Sequence, residues 1–179
     1  VNNTFNDDLN IAIKNFKLYN IFGIIETDSN HIRGTVNGNI LLKRVRQSYG
    51  ILADAQVDNL EIMEIPIGNI AFKAETRNNT VFNIKFNLNG AENEMDLTGY
   101  FIPEGGDKSL NLRGEIPSLS MKTIQAFSMG HIQEASGTVS GSFQINGSTD
   151  HPNVSGELTF NNAMVKPTAL NNQFELIHE

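Results

Sequence analysis

Cysteine and tryptophan are both missing from this chain of 179 residues. Without cysteine there is no disulfide framework and no thiolate metal site. Cationic excess is missing too, because 13 Lys and Arg stand against 20 Asp and Glu, a formal net charge of −7. A nucleic-acid partner wants a basic stripe, so that class is excluded. No apolar run approaches the roughly 20 residues of a membrane-spanning helix, and no signal peptide opens the chain. The first residues, VNNTFNDD, lack an initiator methionine and read as the start of a fragment or processed product of a longer protein. Charged residues make up only 18%, which leaves the polar positions to Asn, Ser, Thr and Gln. Regularly spaced β-branched and aromatic residues separate this composition from a disordered acidic tail.

Catalytic signatures are missing as well. There is no G-x-S-x-G, no P-loop and no dinucleotide fingerprint. His31, His131, His151 and His178 do not pair with another His, Asp or Glu at metal-ligand spacing, so no metal site is expected. Asp7-Asp8 and Asp28-Ser29-Asn30 lack the glycine and closing glutamate of a calcium loop and read as solvated turns. An enzyme would need carboxylates or cations converging on one face, and none do. The expectation is a protein with no catalytic residues and no cofactor.

What is present is period-two alternation, the signature of half-buried strands. It runs through Leu9, Ile11 and Ile13, slips by one residue, and resumes at Phe16. It returns at Val36, Ile40 and Leu42, then at Ile51, Ala53, Ala55 and Val57, and after another slip at Leu60 and Ile62. Phe82, Ile84, Phe86 and Leu88 form the cleanest strand, running into Asn89-Gly90, which reads as a hairpin turn. Met95, Leu97 and Phe101 follow, then Leu110, Leu112 and Ile116. Val139, Phe143 and Ile145 come next, and Val154, Leu158 and Phe160 close the series. One-residue slips flip the faces, so β-bulges are expected between Ile13 and Phe16 and between Val57 and Leu60. Two short helices are expected, over Asn20 to Glu26 and over Leu119 to Met129, the second stopped by Gly130.

Within the apolar face sit Gly38, Gly99, Gly114, Gly141 and Gly156, which bury almost nothing. Glycine inside a strand marks a bend, a bulge or a close approach. Repeated strand after strand, it predicts an all-β, elongated, curled sheet creased at the glycines, with a hydrophobic groove along its inside. The groove lining is read as Ile11, Ile13, Val36, Ile40, Phe82, Ile84, Phe86, Leu88, Leu97, Phe101, Val139, Phe143, Ile145, Val154, Leu158 and Phe160. Gly34-Thr35-Val36-Asn37-Gly38 is echoed by Gly137-Thr138-Val139-Ser140-Gly141. Residues 1–179 are therefore read as one elongated β-repeat fragment, with internal repeats at 9–72 and 110–176.

The run Ser136 to Leu170, SGTVSGSFQINGSTDHPNVSGELTFNNAMVKPTAL, resembles the TamB family within the AsmA-like envelope proteins. The parts that carry the resemblance are the Gly137–Gly141 strand, the turn His151-Pro152-Asn153, the strand Val154 to Phe160 and the step Asn162-Ala163-Met164-Val165. The turn departs from the family order, since Pro152 precedes Asn153. The resemblance implies a β-taco, a folded-over sheet with a hydrophobic groove. It also implies a periplasmic segment of an inner-membrane-anchored protein, phospholipid acyl chains as cargo between inner and outer membranes, support of outer-membrane biogenesis, and an outer-membrane barrel partner. Free edge strands imply edge-to-edge self-association. The competing reading is a closed β-repeat module, structural or adhesive, from a secreted surface protein with no lipid cargo.

Overall fold

Alternation dictates strands along most of the chain, and the computed structural model builds one sheet from them. It describes residues 8–20, 32–45, 48–77, 81–102, 109–148, 150–170 and 172–176. The strands are β1 Leu9–Lys17, β2 Ile32–Val45, β3 Ser48–Ile62, β4 Ile65–Arg77, β5 Val81–Gly90, β6 Asn93–Ile102, β7 Ser109–Ser120, β8 Ile132–Ser148, β9 Pro152–Pro167 and β10 Phe174–Leu176. They form a single antiparallel sheet of ten strands whose spatial order is the chain order. Between β7 and β8 lies α1, Met121–Phe127.

Both predicted bulges are present, in β1 between Ile13 and Phe16 and in β3 between Val57 and Leu60. At each, an asparagine takes a left-handed conformation, Asn15 at φ 50 and Asn59 at φ 51. Asparagine enters that region more easily than most residues. The backbone N–H freed by each bulge is taken by a second asparagine across the ladder. Asn15 N donates to Asn37 Oδ1 at 2.8 Å, and Asn59 N donates to Asn69 Oδ1 at 2.9 Å. The two copies of the Gly-Thr-Val-x-Gly segment share one irregularity. The ladder skips Gly34 between Arg33 and Thr35, and it skips Gly137 between Ser136 and Thr138. Opposite them, Asn59 and Asn162 hold nearly the same φ, 51 and 48.

The sheet departs from the expected curled β-taco. It is open and not strongly curled, and β1 and β10 end it without meeting. The glycines explain why. Gly114, Phe143 and Gly156 lie in register across β7, β8 and β9. A Cβ on Gly114 would overlap the Phe143 ring, and one on Gly156 would stand 2.7 Å from Phe143 Cα. Gly114 makes room for the Phe143 ring, and Gly156 lets the backbone of β8 approach closely, so both serve contact across the sheet. Of the two expected helices, the second is present and shorter than expected. Residues 21–26 of the first lie outside the described residues.

Strand β4 escaped the sequence reading, because Pro66 and Gly68 look like turn residues and hide the alternation of Ile70, Phe72 and Ala74. The β5–β6 turn also differs from expectation. Asn89 and Gly90 stay in the strand, and Ala91 and Glu92 make the turn at φ 49 and 67. Met63 and Glu64 turn β3 into β4 in the same way, at φ 51 and 65. Paired positive φ values match the right-handed strand twist, although the residues are not the usual Asn-Gly.

Two hydrophobic clusters sit at the sheet end where these turns lie. The first buries Leu60, Ile62, Ile67 and Leu88 with Ala126 of α1. The second buries Ala135, Val139 and Ala163 with Met121 of α1. The short helix bridges both, and nothing among the described residues covers the sheet face beyond it.

Gly114→Ala should force Phe143 out of its position and cost about 1–3 kcal/mol. For a chain of this size the melting temperature should fall by roughly 2–12 °C. Phe143→Leu in the same background should recover part of that loss, and a thermal-melt double-mutant cycle checks it.

Candidate functional site

Directly paired residues of an antiparallel sheet point to the same face. Followed from strand to strand, one row reads Ile13, Gly38, Ala55, Phe72, Phe86, Leu97, Gly114, Phe143, Gly156. The next reads Ile11, Ile40, Ala53, Ala74, Ile84, Gly99, Leu112, Ile145, Val154. Neither row contains a polar residue. At about 4.8 Å between strands, each spans roughly 38 Å across the sheet. On the opposite face Asp54, Lys73, Lys85, Thr98, Arg113, Gln144 and Ser155 form a polar row.

Register brings every expected lining residue onto that one face. Ile11, Ile13, Ile40, Ile84, Phe86, Leu97, Phe143, Ile145 and Val154 stand in the two rows. Val36 pairs with Phe16 and Val57, Phe82 with Phe101, Val139 with Phe160, and Leu158 with Gly141. The Phe82 and Phe101 rings lie with centroids 6.4 Å apart. Burial divides the set. Leu88 and Val139 are 3% exposed and belong to the core, whereas Val154 is 64% and Leu158 46% exposed. Ile11 on the first edge strand is also exposed.

The helix sets a lip along one side of the face, and a buried asparagine holds it there. Asn93 is 4% exposed at the start of β6. Its Oδ1 accepts from Ser120 N at 2.9 Å and from Thr123 Oγ1 at 3.0 Å. Its Nδ2 donates to Ile67 O at 2.9 Å and to Ala91 O at 3.2 Å. Ser120 occupies the N-cap position without a side-chain cap bond, so the bond that fixes this helix start comes from another strand. Further along the helix, Gln125 Nε2 donates to Gln133 O at 2.9 Å, and Ala135 N donates to Gln125 Oε1 at 3.0 Å. Gln125 thereby pairs with the backbone of β8 much as a strand would.

Between α1 and the sheet lies a pocket of about 580 Å³. Its sheet side is Ile70, Phe86, Leu88, Met95 and Leu97, and its helix side is Leu119, Thr123, Ile124, Phe127 and Ser128. Phe86, Leu88 and Leu97 were expected lining. Ile70 was missed with β4, and Ile124 and Phe127 fell inside the expected second helix without being counted as lining. Asn93 was missed altogether, since an asparagine after a turn looks like one more turn residue.

Among the described residues no group of His, Asp or Glu is arranged to hold a metal ion. None of the described helices is long and apolar enough to cross a membrane. What the site offers is a broad hydrocarbon surface with one sheltered margin. The family model described as TamB C-terminal domain matches residues 85–173, which run from β5 to the approach to β10. Neither the curated proteins nor the solved structures return a match. The matched family is one of non-enzymatic, periplasmic envelope proteins.

Leu88→Asp places an unpaired charge in the core and should unfold the protein. Leu158→Asp and Val154→Asp, on the exposed part of the same face, should shift stability by no more than about 0.5 kcal/mol. Thermal melts of the three variants check the division, and collapse of all three would mean that the whole face is closed core.

Proposed function

Because this chain belongs to the TamB family over residues 85–173, we propose that it is a segment of an envelope protein that handles phospholipid. Its apolar face carries acyl chains between the inner and outer membranes of the envelope. In doing so it supports outer-membrane biogenesis together with an outer-membrane barrel partner. The parent protein is anchored in the inner membrane, and this segment lies in the periplasm.

One observation carries the reading: two unbroken apolar rows cross nine strands on a face that no second sheet covers among the described residues. Exposed apolar area of that extent marks a surface that binds something. Burying a methylene is worth about 0.8 kcal/mol, so a long acyl chain on a dry face gains on the order of 10 kcal/mol. That nearly balances what the chain loses on leaving a bilayer, as a conduit requires. The lining residues named above, apart from the core residues Leu88 and Val139, are the surface in contact with the chain.

Phospholipid should co-purify with the protein and appear in native mass spectra and lipid extracts. Leu158→Asp and Ile84→Asp should stay folded and still slow lipid transfer between vesicles. An aspartate facing hydrocarbon costs less than a lysine, up to about 2 kcal/mol, which slows passage by up to about thirtyfold. A lipid-free protein whose transfer rate is unchanged by either substitution refutes the lipid role and leaves a structural module.

A further inference from the structure

We propose that the pocket between α1 and strands β4 to β7 is a fixed seat for the terminal segment of one hydrocarbon chain, with Phe127 as its lip. The proposal rests on the lipid-carrying reading and adds a stationary site to a face along which chains otherwise pass.

Chemical complementarity selects the occupant. None of the lining residues carries a charge, and the two hydroxyls among them are already engaged. Thr123 Oγ1 donates to Asn93 Oδ1 at 3.0 Å. Ser128 Oγ donates to Gln125 O at 2.7 Å and accepts from Ile132 N at 2.9 Å. A peptide or a lipid headgroup entering here brings donors and acceptors that would find no partner. A hydrocarbon end brings none. The pocket is preformed as well, because Asn93 holds the start of α1 and Gln125 joins its later turn to β8. Phe127 lines this pocket and is nevertheless 52% exposed, so one side of its ring meets the pocket and the other meets water. A chain seated beneath the ring covers apolar surface that the empty protein leaves wet.

Two photoreactive palmitic acids test the assignment, one with a diazirine at its terminal carbon and one with the diazirine beside the carboxyl. After irradiation, peptide mapping should place the terminal-probe label on Met95, Leu97, Ile124 and Phe127. The carboxyl-side probe should label other parts of the apolar face. Phe127→Ala changes an exposed side chain, so it should melt like the parent. It should nonetheless lower terminal labelling in the pocket roughly tenfold, the factor that 1.4 kcal/mol of lost contact carries. Ile124→Trp, which fills the pocket, should abolish that label and leave labelling of the open rows intact. Even labelling of the face by both probes, or pocket labelling unchanged in both variants, overturns the seat and leaves the lipid-carrying reading standing. Absence of label from either probe anywhere on the face overturns both.

Discussion

Register is the constraint on which this molecule depends. With most of its large apolar side chains on one face, a strand that slips by one residue turns its hydrophobic set to the wrong side. The chain nevertheless contains odd-numbered steps, from Ile13 to Phe16 and from Val57 to Leu60. Each is absorbed locally by an asparagine in the left-handed region, with a second asparagine accepting the stray N–H. Asn15, Asn37, Asn59 and Asn69 therefore work inside the ladder. The surface salt bridges contribute little by comparison. Lys73 and Asp54 stand 2.9 Å apart, but both side chains are more than half exposed, and such pairs are worth at most about 1 kcal/mol.

The second organising element is Asn93. In one buried side chain it joins β4, the β5–β6 turn, the end of β7 and the first turn of α1. A seven-residue helix is far too short to persist alone in water. It exists here because Met121 and Ala126 enter separate clusters and because its polar ends are bound by the sheet. The sheltered margin of the apolar face follows from that arrangement, and so does the contrast between buried Leu88 and exposed Leu158 on one surface.

Much of this was legible in the residues. Alternation located most of the strands, the slips located two bulges, and the apolar parity grouped the named residues on one face. The β-taco curl was misread because glycine has more than one use in a strand. Gly114 and Gly156 accommodate Phe143, and spacing within one strand cannot reveal what lies opposite until the register is known. Strand β4 was hidden by Pro66 and Gly68 at its start, where local turn propensity outweighed a short alternation. The Asn93 clamp is invisible in a linear reading, since its helix partners Ser120 and Thr123 are distant in sequence and only the meander brings them together.

Strand order that copies chain order also governs assembly in time. Each hairpin can close as soon as its second strand is available, since its partner is the neighbouring segment of the chain, and such local pairing favours rapid, stepwise zipping. The helix is the exception. It packs back onto β4 and is tied to the start of β6, so its docking waits until the chain beyond residue 120 has emerged. Until then the nascent sheet from β3 to β6 presents Leu60, Ile62, Ile67 and Leu88 uncovered. That exposure of apolar surface ends when α1 docks.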